Sequence, residues 1–170
     1  LLESALPQTI NSARALRNLT SWADSFATFT DHHSVIRESE WPLLIERLIL
    51  ILSSPYLAHL IVSRPTLAGA LIESETALNP TEFSKVLREA VDKEPEWASR
   101  SDALRRAWYR RVIAIGYDDM SRAKGQSPGD ENTALQIGEQ LRSTNLAQTA
   151  LAEAALRIAL EIAVESLGIA

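Results

Sequence analysis

The sequence predicts an all-α protein: a multi-helix domain that ends in a long, mostly apolar helix. Three observations support this fold class. Apolar residues recur at three- and four-residue steps along almost the whole chain, which is the spacing of one face of an α-helix. The turn-rich pairs that mark β-hairpins are missing. Prolines and capping residues stand at the starts of the apolar segments, where they favour helix initiation.

The composition is that of a folded protein with a sizeable core. The chain has 170 residues, 46% hydrophobic and 23% charged, and a chain of this length buries roughly 70% of the surface that its unfolded form exposes. The absence of cysteine excludes thiol catalysis, thiolate zinc sites and disulfide frameworks. The net charge of -5 argues against a general nucleic-acid-binding protein, which presents a basic face.

The first half of the chain is predicted to contain four helices. They cover approximately residues 12–29, 41–52, 55–62 and 66–72. Thr9 or Ser12 is the expected cap of the first. Trp41-Pro42 places a proline in the first turn of the second helix, where its missing N–H costs nothing. This second helix is apolar nearly all round, which indicates a central position in the core.

The second half is predicted to contain three more helices and one flexible loop. The helices cover approximately residues 81–91, 99–123 and 144–167, and the loop covers 124–131. Asn79-Pro80-Thr81 is the expected turn and cap before the first of them. The tryptophans are spread along the chain, which favours core packing over a base-stacking platform; they are Trp22, Trp41, Trp97 and Trp108.

The last predicted helix has one narrow charged strip. Its charged residues recur every four positions, at Glu153, Arg157, Glu161 and Glu165, and nearly all the others from 150 to 167 are apolar. A polar strip this thin predicts a helix that is covered on most of its circumference. The favoured interpretation is a helix embedded in its own domain. The alternative is that part of its face docks on a domain outside this sequence.

The sequence offers little for catalysis or metal binding. Adjacent residues on a helix point about 100° apart, so His32 and His33 do not form the i, i+4 pair of a helical metal site, and with Asp31 they indicate a polar turn. The acidic pairs Asp118-Asp119 and Asp130-Glu131 lack the Asp-x-Asp spacing that aims two carboxylates at one Mg²⁺. Phosphate-binding glycine loops and a G-x-S-x-G nucleophile elbow are also missing.

The densest basic cluster has two interpretations. It consists of Arg105, Arg106, Arg110 and Arg111. Arginine binds phosphates and carboxylates in bidentate fashion, so an unrelated helical regulator that binds nucleic acid through this cluster is one hypothesis. Acidic residues outnumber basic ones by 22 to 17, which favours local ion pairing.

Three ordered segments carry a resemblance to a known family. Residues 54–67, SPYLAHLIVSRPTL, are followed by residues 103–119, which begin ALRR, and by residues 150–156, ALAEAAL. These segments resemble the S-P-[YF]-L-A-x-L stretch, the L-R-R-x-R helix and the L-A-D-A-x-L helix of the N-terminal region of glutamine synthetase adenylyltransferases. Members of that family are bifunctional enzymes that add AMP to glutamine synthetase and remove it. The resemblance spans roughly residues 40 to 167.

The resemblance implies packing roles for the residues that carry it. They are Ser54, Tyr56, Leu57, Pro65, Leu104, Arg105, Arg106, Arg110, Ile115 and Asp119. The family's catalytic signature, a glycine-rich segment, a serine and an Asp-x-Asp, follows the last of these helices, and the sequence stops at Ala170. We therefore expect no catalytic, cofactor-binding or metal-binding residue in this chain, although the parent enzyme uses ATP and Mg²⁺.

The function implied by the resemblance is that of a non-catalytic helical segment. It would form one helical domain over residues 1–170, scaffold the first nucleotidyltransferase domain of a cytoplasmic enzyme, and take part in regulating nitrogen assimilation. Its expected partners are the remainder of its own polypeptide and, further, glutamine synthetase or a PII-type regulator, with no role for nucleic acid or membrane. The alternative is a free-standing helical protein-interaction module that docks through its last helix.

Overall fold

The computed structural model describes residues 11–28, 36–73, 79–123 and 131–168. These residues form seven α-helices and no strand, so the predicted all-α class is confirmed. The α-helices are α1 (Ser12–Ala27), α2 (Trp41–Ile51), α3 (Pro55–Ser63), α4 (Ala70–Glu73), α5 (Phe83–Val91), α6 (Trp97–Ala123) and α7 (Glu131–Ser166). Short 3₁₀ turns at Glu38–Glu40, Pro65–Gly69 and Pro80–Glu82 precede α2, α4 and α5.

The N-cap of the first helix lies one residue before Ser12, the nearer of the two predicted caps. Asn11 is the N-cap, and its side-chain oxygen accepts a hydrogen bond from the backbone N–H of Arg14 at 3.0 Å. An asparagine oxygen satisfies one of the N–H groups that the first turn leaves without a partner. Ser12 is therefore the first residue of the helix rather than its cap, and Thr9 lies outside the described residues.

Proline and asparagine mark three further helix starts as the sequence predicts. Pro42 lies in the first turn of α2 and Pro55 is the first residue of α3. Asn79 accepts a hydrogen bond from the backbone N–H of Thr81 at 3.1 Å and caps the turn that leads into α5. The predicted helix over 66–72 is instead a 3₁₀ turn followed by the four-residue α4.

A first hydrophobic cluster lies between the four helices α1, α2, α3 and α4. Leu44, Leu48 and Ile51 of α2 are fully buried in it, which confirms the central position predicted for this helix. Trp22 of α1 packs in tilted geometry against the rings of Phe26 and Trp41, and its indole N–H donates to the carbonyl oxygen of Pro65 at 3.3 Å. The indole thus ties α1 to the turn before α4, and its one polar group has a partner.

A second cluster lies between α5, α6 and α7. The buried residues of α7 recur at three- and four-residue steps, which makes one continuous stripe; they are Ala147, Leu151, Ala154, Ile158 and Ile162. The helices α6 and α7 are antiparallel, because Arg100 contacts Glu165 at one end and Asp119 contacts Thr144 at the other.

The helix α6 belongs to both clusters. Ile113 is buried in the first cluster, Ile115 is buried in the second, and Val112 packs against both. Gly116 lets the first cluster approach closely, since a Cβ built at this position lies 2.6 Å from Cδ1 of Leu57. The two halves of the protein therefore meet along one helix.

The structure corrects two further expectations. The last helix begins at Glu131, not near Thr144. Residues 134–139 are all exposed, so this segment lacks the buried apolar face that marks a helix in a sequence. Trp97 is 62% exposed rather than packed in a core. Arg100, three residues later on α6, already pairs with Glu165 near the end of α7. Because the two helices are antiparallel, α7 ends before it reaches the ring of Trp97 and does not cover it.

Candidate functional site: the outer face of helix α7

The most prominent surface feature is an apolar face on the C-terminal half of α7. Leu156, Leu160 and Leu167 are 71%, 66% and 69% exposed. Leu156 lies two positions from both Ala154 and Ile158, about 200° around the helix, so it points away from the buried stripe. We call the exposed apolar positions on this side the outer face; they are Ala152, Leu156, Ala159, Leu160, Ala163 and Leu167.

A groove between α6 and α7 adjoins the outer face. Its volume is about 540 Å³. Leu104 and Trp108 form the α6 wall, and Ala152, Ala155, Leu156 and Ala159 form the α7 wall. Because three of these four α7 residues are alanine, the wall leaves space that larger side chains would fill. Leu156 belongs to both surfaces, so the groove and the outer face are continuous.

The charged strip of α7 divides between two environments. Glu161 pairs with Arg88 of α5, and Glu165 pairs with Arg100 of α6 at 2.6 Å. Glu153 and Arg157 lie on the exposed surface. Two ion pairs thus secure one edge of α7 to its neighbours, while no described residue covers the outer face. In this part of the chain the helix is not covered on most of its circumference.

The first family-motif segment mainly packs the core. Ser54 is the N-cap residue of α3, Leu57 is buried, and Pro65 is buried and accepts the hydrogen bond from Trp22. Tyr56 is 60% exposed. Burial of Leu57 and Pro65 agrees with the packing roles expected for them, whereas the ring of Tyr56 lies on the surface.

The second motif segment divides between packing and ion pairing. Leu104 and Ile115 are buried in the second cluster. Arg105 pairs with Asp102 at 2.7 Å and Arg106 pairs with Glu94 at 3.6 Å. These two arginines are neutralised by neighbouring carboxylates, which weakens the hypothesis of a phosphate-binding face on α6. Arg110 is half-buried on the same helix.

The last motif position, Asp119, is a link between helices. Its Oδ1 accepts hydrogen bonds from Thr144 Oγ1 at 2.7 Å and from Gln140 Nε2 at 3.1 Å. The neighbouring Asp118 pairs with Arg122 at 2.6 Å. The two carboxylates thus serve different local partners and do not converge on one point.

The predicted polar turn of Asp31, His32 and His33 lies outside the described residues, as do residues 124–130 of the loop predicted over 124–131. The last residue of that loop, Glu131, belongs to α7 instead. Within the described ranges, no group of three or more His, Asp or Glu side chains is placed to hold a metal ion. None of the helices described is both long enough and apolar enough to cross a membrane.

Comparisons with known proteins do not identify a family, so the class of protein is described from its fold and its surface. No protein-family model, curated protein sequence or solved structure matches this chain. The chain is an all-α multi-helix protein whose longest helix carries an exposed apolar face. The sequence predicts that this helix is apolar, but it does not identify the residues that face outward, because apolar residues of the buried stripe and of the outer face alternate along it.

Proposed function

We propose that this chain is a non-catalytic helical segment of an enzyme that adds AMP to glutamine synthetase and removes it. In this proposal the outer face of α7 holds the enzyme's first nucleotidyltransferase domain. The observation that carries the proposal is the exposure of Leu156 and Leu160 on one side of α7, and of Leu167 directly after it, while the other side of the helix is buried against α5 and α6.

The energetics favour a protein partner for this face. Full burial of a leucine side chain contributes about 1.5–3 kcal/mol of favourable free energy. A partner that covered the three exposed leucines would therefore bind with a large hydrophobic contribution. A contiguous exposed apolar patch is typical of a protein-binding surface. The adjoining groove of about 540 Å³ would receive side chains from the partner, as grooves between helices do in many complexes.

The ordered resemblance of three segments supports a nucleotidyltransferase domain as the partner. In the family that these segments resemble, the catalytic domain follows the helix that corresponds to α7. A domain joined directly after this helix is well placed to cover its C-terminal half. The free-standing interaction module uses the same face, so the two hypotheses differ in the partner and not in the surface.

The test is a binding measurement with a defined partner. The 170-residue chain is mixed with the purified first nucleotidyltransferase domain of a glutamine synthetase adenylyltransferase, and the complex is followed by size-exclusion chromatography with light scattering. We expect a one-to-one complex that the double variant Leu156→Asp/Leu160→Asp abolishes. The matched control is Leu135→Asp, because Leu135 is also 71% exposed on α7 but lies about 31 Å from Leu156 along the helix.

The outcomes separate the hypotheses. A complex that survives in Leu156→Asp/Leu160→Asp would show that the outer face is not the docking surface. No complex with the wild-type chain would contradict the proposal as a whole. Reading the gene beyond the codon for Ala170 is a further test: a glycine-rich turn followed by Asp-x-Asp supports the enzyme segment, and a stop codon supports the interaction module.

A further inference from the structure

A second cavity lies between α1 and α3, on the side of the protein that the proposed docking surface does not use. Its volume is about 520 Å³. Polar and basic side chains from both helices line it, among them Arg14, Arg17, Ser21, His59 and Ser63. Neither the sequence motifs nor the proposed function assigns a role to this cleft.

The α1 wall of the cleft includes two arginines, Arg14 and Arg17. Arg14, Arg17 and Ser21 follow each other at steps of three and four residues, so they share one face of the helix, with Cβ atoms of neighbours about 5–6 Å apart. Within the described ranges neither Arg14 nor Arg17 makes an ion pair, whereas Arg88, Arg100 and others do.

The α3 wall adds further hydrogen-bond donors. His59 lies on the exposed surface of α3 and lines the cleft, and an imidazole ring carries at least one N–H donor in either protonation state. Four residues later, Ser63 accepts a hydrogen bond from the guanidinium of Arg64 at 3.3 Å, and the same guanidinium stacks over Tyr109 at 4.6 Å. The guanidinium of Arg64 therefore lies within hydrogen-bond distance of one lining residue.

No carboxylate among the lining residues compensates this positive charge. The only acidic residue of α1 is Asp24, seven positions beyond Arg17 and thus about 10 Å further along the helix axis. Such a separation is close to the Debye length at physiological salt, where attraction between exposed charges is largely screened. Arginines without an acidic partner among the described residues are notable in a chain whose net charge is -5, since acidic residues are in excess overall.

We propose that this cleft binds the phosphate group of a small phosphorylated molecule. Two guanidinium forks and an imidazole N–H match the several terminal oxygens of a phosphate, and arginine binds such groups in bidentate fashion. Ala58 and Val62 form an apolar part of the wall that accommodates the body of the ligand. The volume of about 520 Å³ exceeds the need of a phosphate ion and lies within the range of small-molecule sites.

The test is a titration followed by ¹⁵N–¹H NMR, with phenyl phosphate, inorganic phosphate and phenol as probes and with ionic strength held constant by chloride. We expect phenyl phosphate to shift resonances around Arg14, Arg17 and His59 saturably, to bind more tightly than inorganic phosphate, and phenol to have no effect. In Arg14→Gln/Arg17→Gln the dissociation constant should rise by at least about tenfold, because charge-assisted hydrogen bonds are lost.

The matched control is Arg142→Gln/Arg157→Gln, which removes two exposed arginines from α7 and should leave the dissociation constant unchanged. Unmoved resonances from the rest of the chain show that each variant is folded. Equal affinity of the wild-type chain and Arg14→Gln/Arg17→Gln would overturn the site. Equal affinity for phenyl phosphate and inorganic phosphate would overturn its assignment to a phosphorylated small molecule, and shifts that map to another surface would overturn both.

Discussion

Thr144 on α7 donates its hydroxyl to Oδ1 of Asp119 on α6 across 2.7 Å. Gln140, one turn earlier on α7, donates to the backbone carbonyl oxygen of the same aspartate at 2.6 Å. One acidic residue therefore fixes the register of the two longest helices at the end opposite to the Arg100–Glu165 ion pair.

This link predicts unequal effects of substituting the two adjacent aspartates. Asp119→Ala should lower the free energy of unfolding by about 1–3 kcal/mol, because partly buried donors on α7 lose a charged acceptor. Asp118→Ala is the matched control and should cost no more than about 0.5 kcal/mol, since it removes only an i, i+4 surface pair with Arg122. Urea denaturation measures both. A loss at Asp118 as large as that at Asp119 would contradict the role assigned to the link.

The close approach of Gly116 and Leu57 predicts that Gly116→Ala destabilises the wild-type chain but stabilises the Leu57→Ala variant. In the wild-type chain, Gly116→Ala should destabilise by about 1 kcal/mol, since overpacking against the buried Leu57 outweighs the better helix propensity of alanine. In the Leu57→Ala background, the same substitution should stabilise by up to about 1 kcal/mol, because the space is then open. Thermal and urea unfolding of the four proteins give this double-mutant cycle. Identical effects in both backgrounds would show that the close approach does not limit packing.

Truncating a leucine to alanine should affect stability very differently on the two sides of α7. Leu151→Ala should cost about 2–5 kcal/mol, because Leu151 is only 1% exposed. Leu156→Ala should change the free energy of unfolding of the isolated chain by less than about 0.5 kcal/mol. A strong loss of stability in Leu156→Ala would mean that the outer face is covered within the chain itself, and the proposed docking surface would then be excluded.

The proposed function predicts an isolated chain without enzymatic activity. With ATP, Mg²⁺ and glutamine synthetase, the chain alone should neither transfer AMP nor remove it by phosphorolysis. Radiolabelled AMP incorporation into glutamine synthetase checks the first point, with a complete adenylyltransferase as the positive control. Mg²⁺-dependent turnover by this chain would refute its assignment as a non-catalytic segment.

Local signals in the sequence predicted three of the helix starts in the described residues. Trp41-Pro42, Ser54-Pro55 and Asn79-Pro80 each act within one turn of chain, and the structure places a helix or a 3₁₀ turn directly at each of them. The start of α7 was placed too late. Residues 134–139 of this helix are all exposed, and a helical segment without a buried side shows no apolar periodicity by which to recognise it.

Tertiary position was harder to predict than helical structure. The tryptophans illustrate this, because Trp22 is buried in the first cluster while Trp97 is 62% exposed. Hydrophobicity alone does not say where a neighbouring helix ends. The cleft between α1 and α3 was missed for a related reason: Arg14 and Arg17 are unremarkable along the chain, and they gain significance only because α3 brings His59 to the same space.

The sharing of α6 between two clusters has a consequence for how the protein unfolds. Val112 contacts both clusters, and Ile113 and Ile115 each belong to a different one. If α6 frays or shifts, both clusters lose packing at the same moment, so neither can melt while the other stays intact. We therefore expect a single cooperative transition, in which probes placed at Trp22 and on α7 report the same midpoint.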